Sequence, residues 1–160
     1  MTTIAIDLKA GVASSDSWNS PDGGSPVMCT KMWKLTNGDM FFESGHLRPI
    51  ELALQWAESR WAPAERSEEW EEVSTDSEKY GFACVLVQTD GKVQYLDEEC
   101  SPIYVLDDCL TLGSGGSYAR GAMDAGASTA EAITIASRYD SCTGGPVQTT
   151  LLPFKRKAPG

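Results

Sequence analysis

The sequence has little histidine, no ordered cysteine spacing and no long apolar run. His46 is the only histidine among 160 residues, which excludes any site that needs several imidazoles from this chain. The five cysteines are odd in number and scattered, without a Cys-x-x-Cys pair, so reduced thiols packed as small apolar residues are favoured over a disulfide framework or a zinc cluster. Apolar runs such as residues 82–87 are only strand-sized, so we expect no membrane partner.

Basic residues are also scarce. The chain has 13 Lys and Arg against 23 Asp and Glu, a net charge of −10. Such a balance repels phosphate backbones, so nucleic acid is not expected as a partner. Much of the acid lies in residues 58–78, which we interpret as a solvated helix face or loop rather than a metal site. The N-terminus lacks a basic region followed by an apolar core, and we expect a cytoplasmic protein.

The order of predicted elements indicates an α+β fold in one domain spanning residues 1–160. Alternating or β-branched runs predict strands, turns such as Asn37-Gly38 and Asp90-Gly91 predict hairpins, and residues 19–26 form a loop. Apolar residues at helical spacing predict one helix from Pro49 to Pro63, and a capping box at Ser128 begins another. The predicted strands are 3–8, 12–16, 27–35, 39–42, 81–88, 92–96, 103–106 and 147–152, and the two later helices are 118–125 and 128–139.

A threonine at position 2 is the first chemical clue. Removal of Met1, which is usual before a small second residue, would leave Thr2 with a free amine. An N-terminal threonine is an activated nucleophile whose own amine serves as general base, because the α-amino pKa lies near physiological pH. Many ordinary proteins also begin Met-Thr, so this start alone does not distinguish a nucleophile from an ordinary terminus.

Four further segments resemble the proteasome β-subunit and HslV peptidase family of N-terminal-nucleophile (Ntn) hydrolases. They occur in the family's order and at similar spacing across most of the chain. Residues 112–119 resemble the family's Gly-Ser-Gly-Gly-Pro-Tyr-Ala segment most specifically, with Ser117 in place of the proline. The four segments are Val-Ala-Ser-Ser-Asp-Ser at 12–17, Thr-Lys-Met-Trp-Lys-Leu at 30–35, Leu-Gly-Ser-Gly-Gly-Ser-Tyr-Ala at 112–119 and Asp-Ser-Cys-Thr-Gly-Gly at 140–145.

The resemblance implies a four-layer αββα sandwich of two antiparallel sheets flanked by helices, the Ntn-hydrolase fold. It implies that Thr2 supplies the attacking hydroxyl and the base amine, and that Lys31 lies beside it, lowering the amine pKa. Asp16 would hold the Lys31 ammonium.

The resemblance assigns four further residues to the catalytic site, near the Thr2 amine or near the carbonyl oxygen of the substrate. Gly45 would donate an oxyanion-hole N–H. Ser114, Asp140 and Thr143 would bind the Thr2 amine region and a bridging water. No cofactor or metal is implied.

The resemblance implies a self-compartmentalised threonine endopeptidase that degrades polypeptides. Family members form homo-oligomeric rings or stacked rings, often fed by an ATPase unfoldase. The acidic segment 65–78 and the basic tail 155–157 have no counterpart in it.

Other interpretations remain open. Lys31 could be a surface lysine on a strand, and Asp140 and Thr143 could simply end a helix. The alternative function is a catalytically inactive or amidase-like Ntn-hydrolase relative that acts as an assembly subunit. Retention of Met1 would block the amine and favour that alternative.

Overall fold

The structure is a computed structural model that describes residues 1–19, 24–75 and 79–157. It divides into a first unit, Met1–Lys31 with Asp107–Gly160, and a second unit, Met32–Leu106. The strands are β1 (Thr3–Asp7), β2 (Val12–Ser15), β3 (Trp18–Asn19), β4 (Val27–Met28), β5 (Met32–Lys34), β6 (Met40–Gly45), β7 (Phe82–Val87), β8 (Val93–Asp97), β9 (Ile103–Tyr104), β10 (Cys109–Gly113) and β11 (Gln148–Leu151). The helices are α1 (Leu47–Ala57), α2 (Trp70–Thr75), α3 (Gly116–Asp124) and α4 (Thr129–Ala136), with a 3₁₀ turn at Pro63–Glu65.

The first unit is built on an antiparallel sheet with strand order β10-β1-β2-β11, and α3 and α4 pack on this sheet. The packed face is made mainly of small side chains: Ala5 on β1 clusters with Ala119, Ala132 and Ala136, together with the larger Ile133 and the partly buried Met123. Side chains alternate along a strand, so Thr3 lies on the same face as Ala5. The beginning of β1 is therefore directed toward the helices and the segments that follow them.

The second unit has an antiparallel sheet with strand order β5-β6-β7-β8-β9, against which α1 packs. Its core is aromatic, with Trp61 meeting Phe41 edge to face and Trp70 lying 5.8 Å from both Trp56 and Phe82 between ring centroids. The indole N–H of Trp61 donates to the Ala53 carbonyl at 2.9 Å. The Trp56 indole N–H likewise donates to the Ala62 carbonyl at 2.7 Å, whereas the buried indole N–H of Trp70 has no partner among the described residues.

The fold-class prediction is confirmed: the chain is α+β, with antiparallel sheets and helices packed on them. Both predicted hairpins form, as β5–β6 and β7–β8. The capping box at Ser128 is present, with Glu131 N–H and side chain both engaged. Within residues 65–75, the acidic side chains are exposed as expected; residues 76–78 of that segment and 20–23 of the predicted loop lie outside the described part of the chain. The single domain over 1–160 stays a prediction.

Two element predictions were wrong and one strand was missed. The expected strand 27–35 is two short strands in different sheets, and Lys31 lies between them with its ammonium bound to Asp16. Helix α1 ends at Ala57 rather than near Pro63, since Arg60 and Trp61 both adopt positive φ. Strand β10 was not predicted.

On α3, Tyr118 is 47% exposed and stacks on Tyr139. Among the described residues, no helix combines the length and apolar character needed to cross a membrane.

Candidate active site

A buried ion pair lies at the centre of the first unit. The Lys31 ammonium is 2.7 Å from Asp16 Oδ1, and the two side chains are 4% and 0% exposed. Lys31 Nζ also donates to the carbonyl oxygens of Trp18 at 2.6 Å and Met1 at 3.1 Å. An ammonium has three hydrogens, so these three acceptors satisfy it fully. This buried cation therefore leaves no donor unsatisfied, which is the condition for burying a charge at moderate cost.

Asp16 also fixes the start of β1. Its Oδ1 accepts the Thr3 N–H at 2.9 Å, and its own N–H donates to the Thr3 carbonyl at 3.0 Å. Its Oδ2 accepts the Gly144 N–H at 3.2 Å. One carboxylate therefore connects the N-terminal strand, the lysine and the segment after α4. These contacts follow from the position of Asp16 directly after β2, which pairs with β1.

A second carboxylate, that of Asp140, accepts hydrogen bonds from hydroxyl groups beside β1. Asp140 Oδ2 accepts from Ser114 Oγ at 2.6 Å and from Thr143 Oγ1 at 2.5 Å. The Thr143 hydroxyl is also 2.5 Å from the Thr3 hydroxyl. Burial by itself would raise the pKa of Asp140. The Ser114, Thr143 and Cys142 N–H hydrogen bonds and the nearby N-terminal ammonium outweigh burial and lower it, so this carboxyl is held in its anionic form.

Two glycines are required for this packing. A Cβ on Gly115 would lie 2.1 Å from Thr3 Oγ1 and 2.8 Å from Thr143 Oγ1. A Cβ on Gly144 would lie 2.5 Å from the Trp18 ring. The glycine-rich runs after β10 and after α4 therefore allow a close approach of backbone to the polar cluster.

Thr2 lies immediately before β1 and is 7% exposed, whereas Met1 is 60% exposed. The carbonyl oxygen that Lys31 contacts belongs to the Met1–Thr2 peptide bond. The lysine is thus at the bond whose cleavage would free the Thr2 amine. In the chain with Met1 attached, this carbonyl takes the third hydrogen of the ammonium.

Six of the seven predicted site residues belong to the first unit: Thr2, Asp16, Lys31, Ser114, Asp140 and Thr143. Gly45 belongs to the second unit, at the end of β6 with φ of 115°. A Cβ there would lie 2.4 Å from the Gly81 carbonyl oxygen, so the local strand pairing already requires glycine. Its oxyanion-hole role stays a prediction.

Sequence reasoning missed Thr3, Gly115 and the Trp18 carbonyl. The alternation of β1 could have identified Thr3 as a residue facing the same side as Ala5. The Gly115 contact and the Trp18 carbonyl have no sequence signal, because both depend on how loops approach β1. Within residues 1–19, 24–75 and 79–157, no group of three or more His, Cys, Asp or Glu side chains could hold a metal ion.

Comparison with known proteins identifies the fold as the α+β Ntn-hydrolase type. The structure matches eukaryotic HslV from Trypanosoma brucei with a TM-score of 0.68 and 16% identity, covering 94% of this chain and 99% of that chain. It matches Thiobacillus denitrificans BPH in complex with epoxomicin with a TM-score of 0.66 and 15% identity, covering 94% and 98%. A further BPH structure gives 0.65 and 16%, covering 94% and 97%. No protein-family model and no curated protein matches the sequence.

Proposed function

We propose that this chain is a threonine endopeptidase of the proteasome and HslV type, with Thr2 as nucleophile once Met1 is removed. The observation that carries the proposal is the buried Lys31–Asp16 pair, whose ammonium contacts the carbonyl of the Met1–Thr2 peptide bond. Buried charged pairs beside a chain terminus are costly to maintain for stability alone. The fold shared with HslV over 94% of the chain supports the same proposal.

In this mechanism the Thr2 amine takes the proton of the Thr2 hydroxyl as the oxygen attacks the scissile carbonyl carbon. An α-amino group has an unperturbed pKa of about 7.7–8.0, and a neighbouring ammonium lowers it further toward the neutral base form. The protonated amine then gives its proton to the leaving amine. Water hydrolyses the resulting ester on Thr2, which restores the free hydroxyl.

Lys31 and Asp16 supply the electrostatics of that step. Because Asp16 is fully buried and bound to Lys31 and two backbone N–H groups, the ammonium is held in one position and kept charged. Removal of Met1 would free the Lys31 N–H that donates to the Met1 carbonyl, and the proposed mechanism requires the Thr2 hydroxyl to accept it.

Two further groups contribute charge stabilisation to the proposed reaction. Asp140, with Ser114 and Thr143, would stabilise the ammonium that forms at Thr2. In the chain that carries Met1, the ammonium of Met1 is close enough to lower the Asp140 pKa. Gly45 would donate its N–H to the oxyanion.

The proposal includes polypeptide substrates, a homo-oligomeric ring or stacked rings, an ATPase unfoldase and a cytoplasmic location. Exposed apolar side chains support the assembly part, since large ones at a surface often mark interfaces. Leu151 at the edge of the first sheet is 74% exposed, and Leu106 in the second unit is 90% exposed. Native mass spectrometry would test it: a mass of one chain at micromolar concentration would contradict a ring.

A second candidate is a catalytically inactive or amidase-like relative kept as an assembly subunit. One observation favours it. With Met1 present, Lys31 donates a hydrogen bond to the Met1 carbonyl, and the Thr2 nitrogen that would act as base is part of a peptide bond. Intact mass separates the two candidates. A chain that retains Met1 in its purified, assembled form supports the second.

Thr2→Ala tests the proposed nucleophile. Hydrolysis of fluorescein-labelled casein should fall by roughly a million-fold, to background, because alanine has no hydroxyl to attack the substrate and form the ester intermediate. Thr2→Ser keeps a hydroxyl and should retain measurable turnover. Thr134→Val, which removes an exposed hydroxyl on α4, is the matched control and should act like the wild type. Undiminished turnover by Thr2→Ala would contradict the proposal.

A further inference from the structure

The Thr3 hydroxyl has no part in the chemistry described above, yet it is the first member of a hydrogen-bonded chain through the site. Thr3 is fully buried. Its hydroxyl contacts Thr143, whose hydroxyl contacts Asp140, which also accepts from Ser114. All three contacts have heavy-atom distances of 2.5–2.6 Å. We propose that Thr3 is a positioning residue that sets where Thr2 presents its hydroxyl and amine; this inference rests on the proposed function.

The direction of the chain follows from proton counting. Asp140 is held anionic and can only accept, so the single Thr143 hydroxyl hydrogen points to it. The Thr143 oxygen must then accept in its other contact, and Thr3 must be the donor. The rotamer of Thr3 is therefore fixed by the carboxylate, through Thr143. Valine has the same shape but cannot donate, so it would break the chain without changing side-chain volume much.

Thr3 is also the first residue of the chain that strand pairing and backbone hydrogen bonds hold in place. It is the first β1 residue in register with β10, opposite Gly113, and its N–H and carbonyl both bond to Asp16. Thr2 precedes this ladder. The neighbouring Met1 carbonyl accepts a hydrogen bond from Lys31, and this contact disappears when Met1 is removed. The position of Thr2 then depends on Thr3, whose Cα is about 3.8 Å away along the chain.

Gly115 supplies an independent steric observation. Its hypothetical Cβ would lie 2.1 Å from Thr3 Oγ1, closer than any other atom that this Cβ would meet. The backbone of the Gly-Ser-Gly-Gly segment is thus packed directly against the hydroxyl that we assign to positioning. A substituent at this glycine would displace Thr3 first, then Thr143.

The test compares Thr3→Val with Thr3→Ser in the chain lacking Met1. A displacement of about 1 Å at reacting atoms can reduce a rate by about 100-fold, so kcat for casein-derived fluorogenic peptides should fall by about 10- to 100-fold in Thr3→Val. KM should change by less than about twofold, because the loss concerns the reacting group rather than substrate binding. Thr3→Ser should restore kcat to within about threefold of the wild type. Equal kcat in Thr3→Val and the wild type, or an equal loss in Thr3→Ser and Thr3→Val, would overturn the inference.

A second measurement does not depend on activity. The amide of residue 3 donates to Asp16, and its hydrogen exchange by NMR should be faster in Thr3→Val than in Thr3→Ser, since only serine keeps the side-chain anchor. If the wild type proves inert, the proposed function fails while this comparison still decides whether the hydroxyl holds the N-terminus. Equal exchange in the two variants would overturn the positioning role.

Should Thr3→Val fail to fold, a double-mutant cycle replaces it. Gly115→Ala alone should be strongly destabilising, because its Cβ overlaps the Thr3 hydroxyl. In a Thr3→Ala background the overlap with Oγ1 is absent, so Gly115→Ala should lower the urea midpoint by less. Strictly additive shifts would show that the two positions do not act on one another and would overturn the inference.

Discussion

The two units differ in the side chains that dominate their interiors. Beside its small apolar core, the first unit encloses a lysine, an aspartate and several hydroxyls, including Asp16, Ser14 and Thr3 at 0% exposure. The second unit encloses large rings, with Trp61, Trp70 and Phe41 at 2% exposure or less. Rings contribute stability through area and packing, whereas buried polar groups contribute only when every partner is present. The first unit should therefore be the more sensitive to loss of a single polar partner, and the second to loss of a single ring.

The largest expected effect is at the buried pair of the first unit. Lys31→Met should abolish peptide hydrolysis and lower the free energy of unfolding by about 3–5 kcal/mol, because Asp16 would remain buried and charged with only backbone donors. Arg60→Met in the second unit is the matched control. Its partner Asp39 is also buried, but the Arg60 side chain is 37% exposed, so water can replace it and the loss should be about 1–2 kcal/mol. Urea unfolding measures both; equal losses would remove the distinction between the units.

The aromatic core should show the next largest effect, on stability. Trp61→Ala should cost about 3–5 kcal/mol, since it removes a fully packed indole and the hydrogen bond to Ala53. Trp33→Ala, at a position 39% exposed in the same unit, should cost less than about 1 kcal/mol. Thermal and urea unfolding of the two variants check this. A similar cost for both would mean that the clustered rings are not what stabilises the second unit.

A smaller effect is expected at a hydroxyl cluster of the first unit. Ser14 Oγ lies 2.8 Å from the Thr129 hydroxyl and 2.9 Å from the Thr149 hydroxyl, so it joins β2 to α4 and β11. Ser14→Ala should cost about 1–2 kcal/mol, because both partners lose a buried hydrogen-bonding group. Ser137→Ala removes an exposed hydroxyl and serves as the control. A loss no greater than the control's would show that these hydroxyls are not coupled.

The smallest expected effect is a pH dependence at Asp140. Its folded pKa is lowered, so it stabilises the protein fully above its unfolded pKa of about 3.9 and loses that contribution as pH falls through the folded value. The difference in the free energy of unfolding between wild type and Asp140→Asn should therefore be constant above about pH 5 and shrink as the pH falls below about 4. A difference that grows on acidification would contradict the hydrogen-bonding assigned to this carboxylate.

The sequence predicted most of the elements because hydrophobic period and turn residues are local signals. Asn37-Gly38 and the Ser128 capping box were recognisable without any tertiary information. Strand β10 was missed because its residues, Cys109–Gly113, are mostly half-buried and show no clear alternation. The break between β4 and β5 could not be predicted either, since Lys31, which lies between the two strands, is held by tertiary contacts that have no local signal.

The candidate site was predicted through resemblance rather than from physical pattern. Asp16, Lys31, Ser114, Asp140 and Thr143 are separated by up to 127 positions, and only the fold brings them into one unit. The alternation of β1 could have indicated the face on which Thr3 lies, but its contacts with Thr143 and Gly115 depend on how loops approach the strand. Such contacts leave no periodic signal in a single sequence.

The most direct test of the account is intact and peptide-level mass spectrometry of the purified protein after treatment with an epoxyketone. The account predicts loss of the Met1 mass and one adduct located on Thr2, with no adduct in the Thr2→Ala variant. Met1 retained on an unlabelled chain, or an adduct on any residue other than Thr2, would contradict the claim that this threonine is the nucleophile.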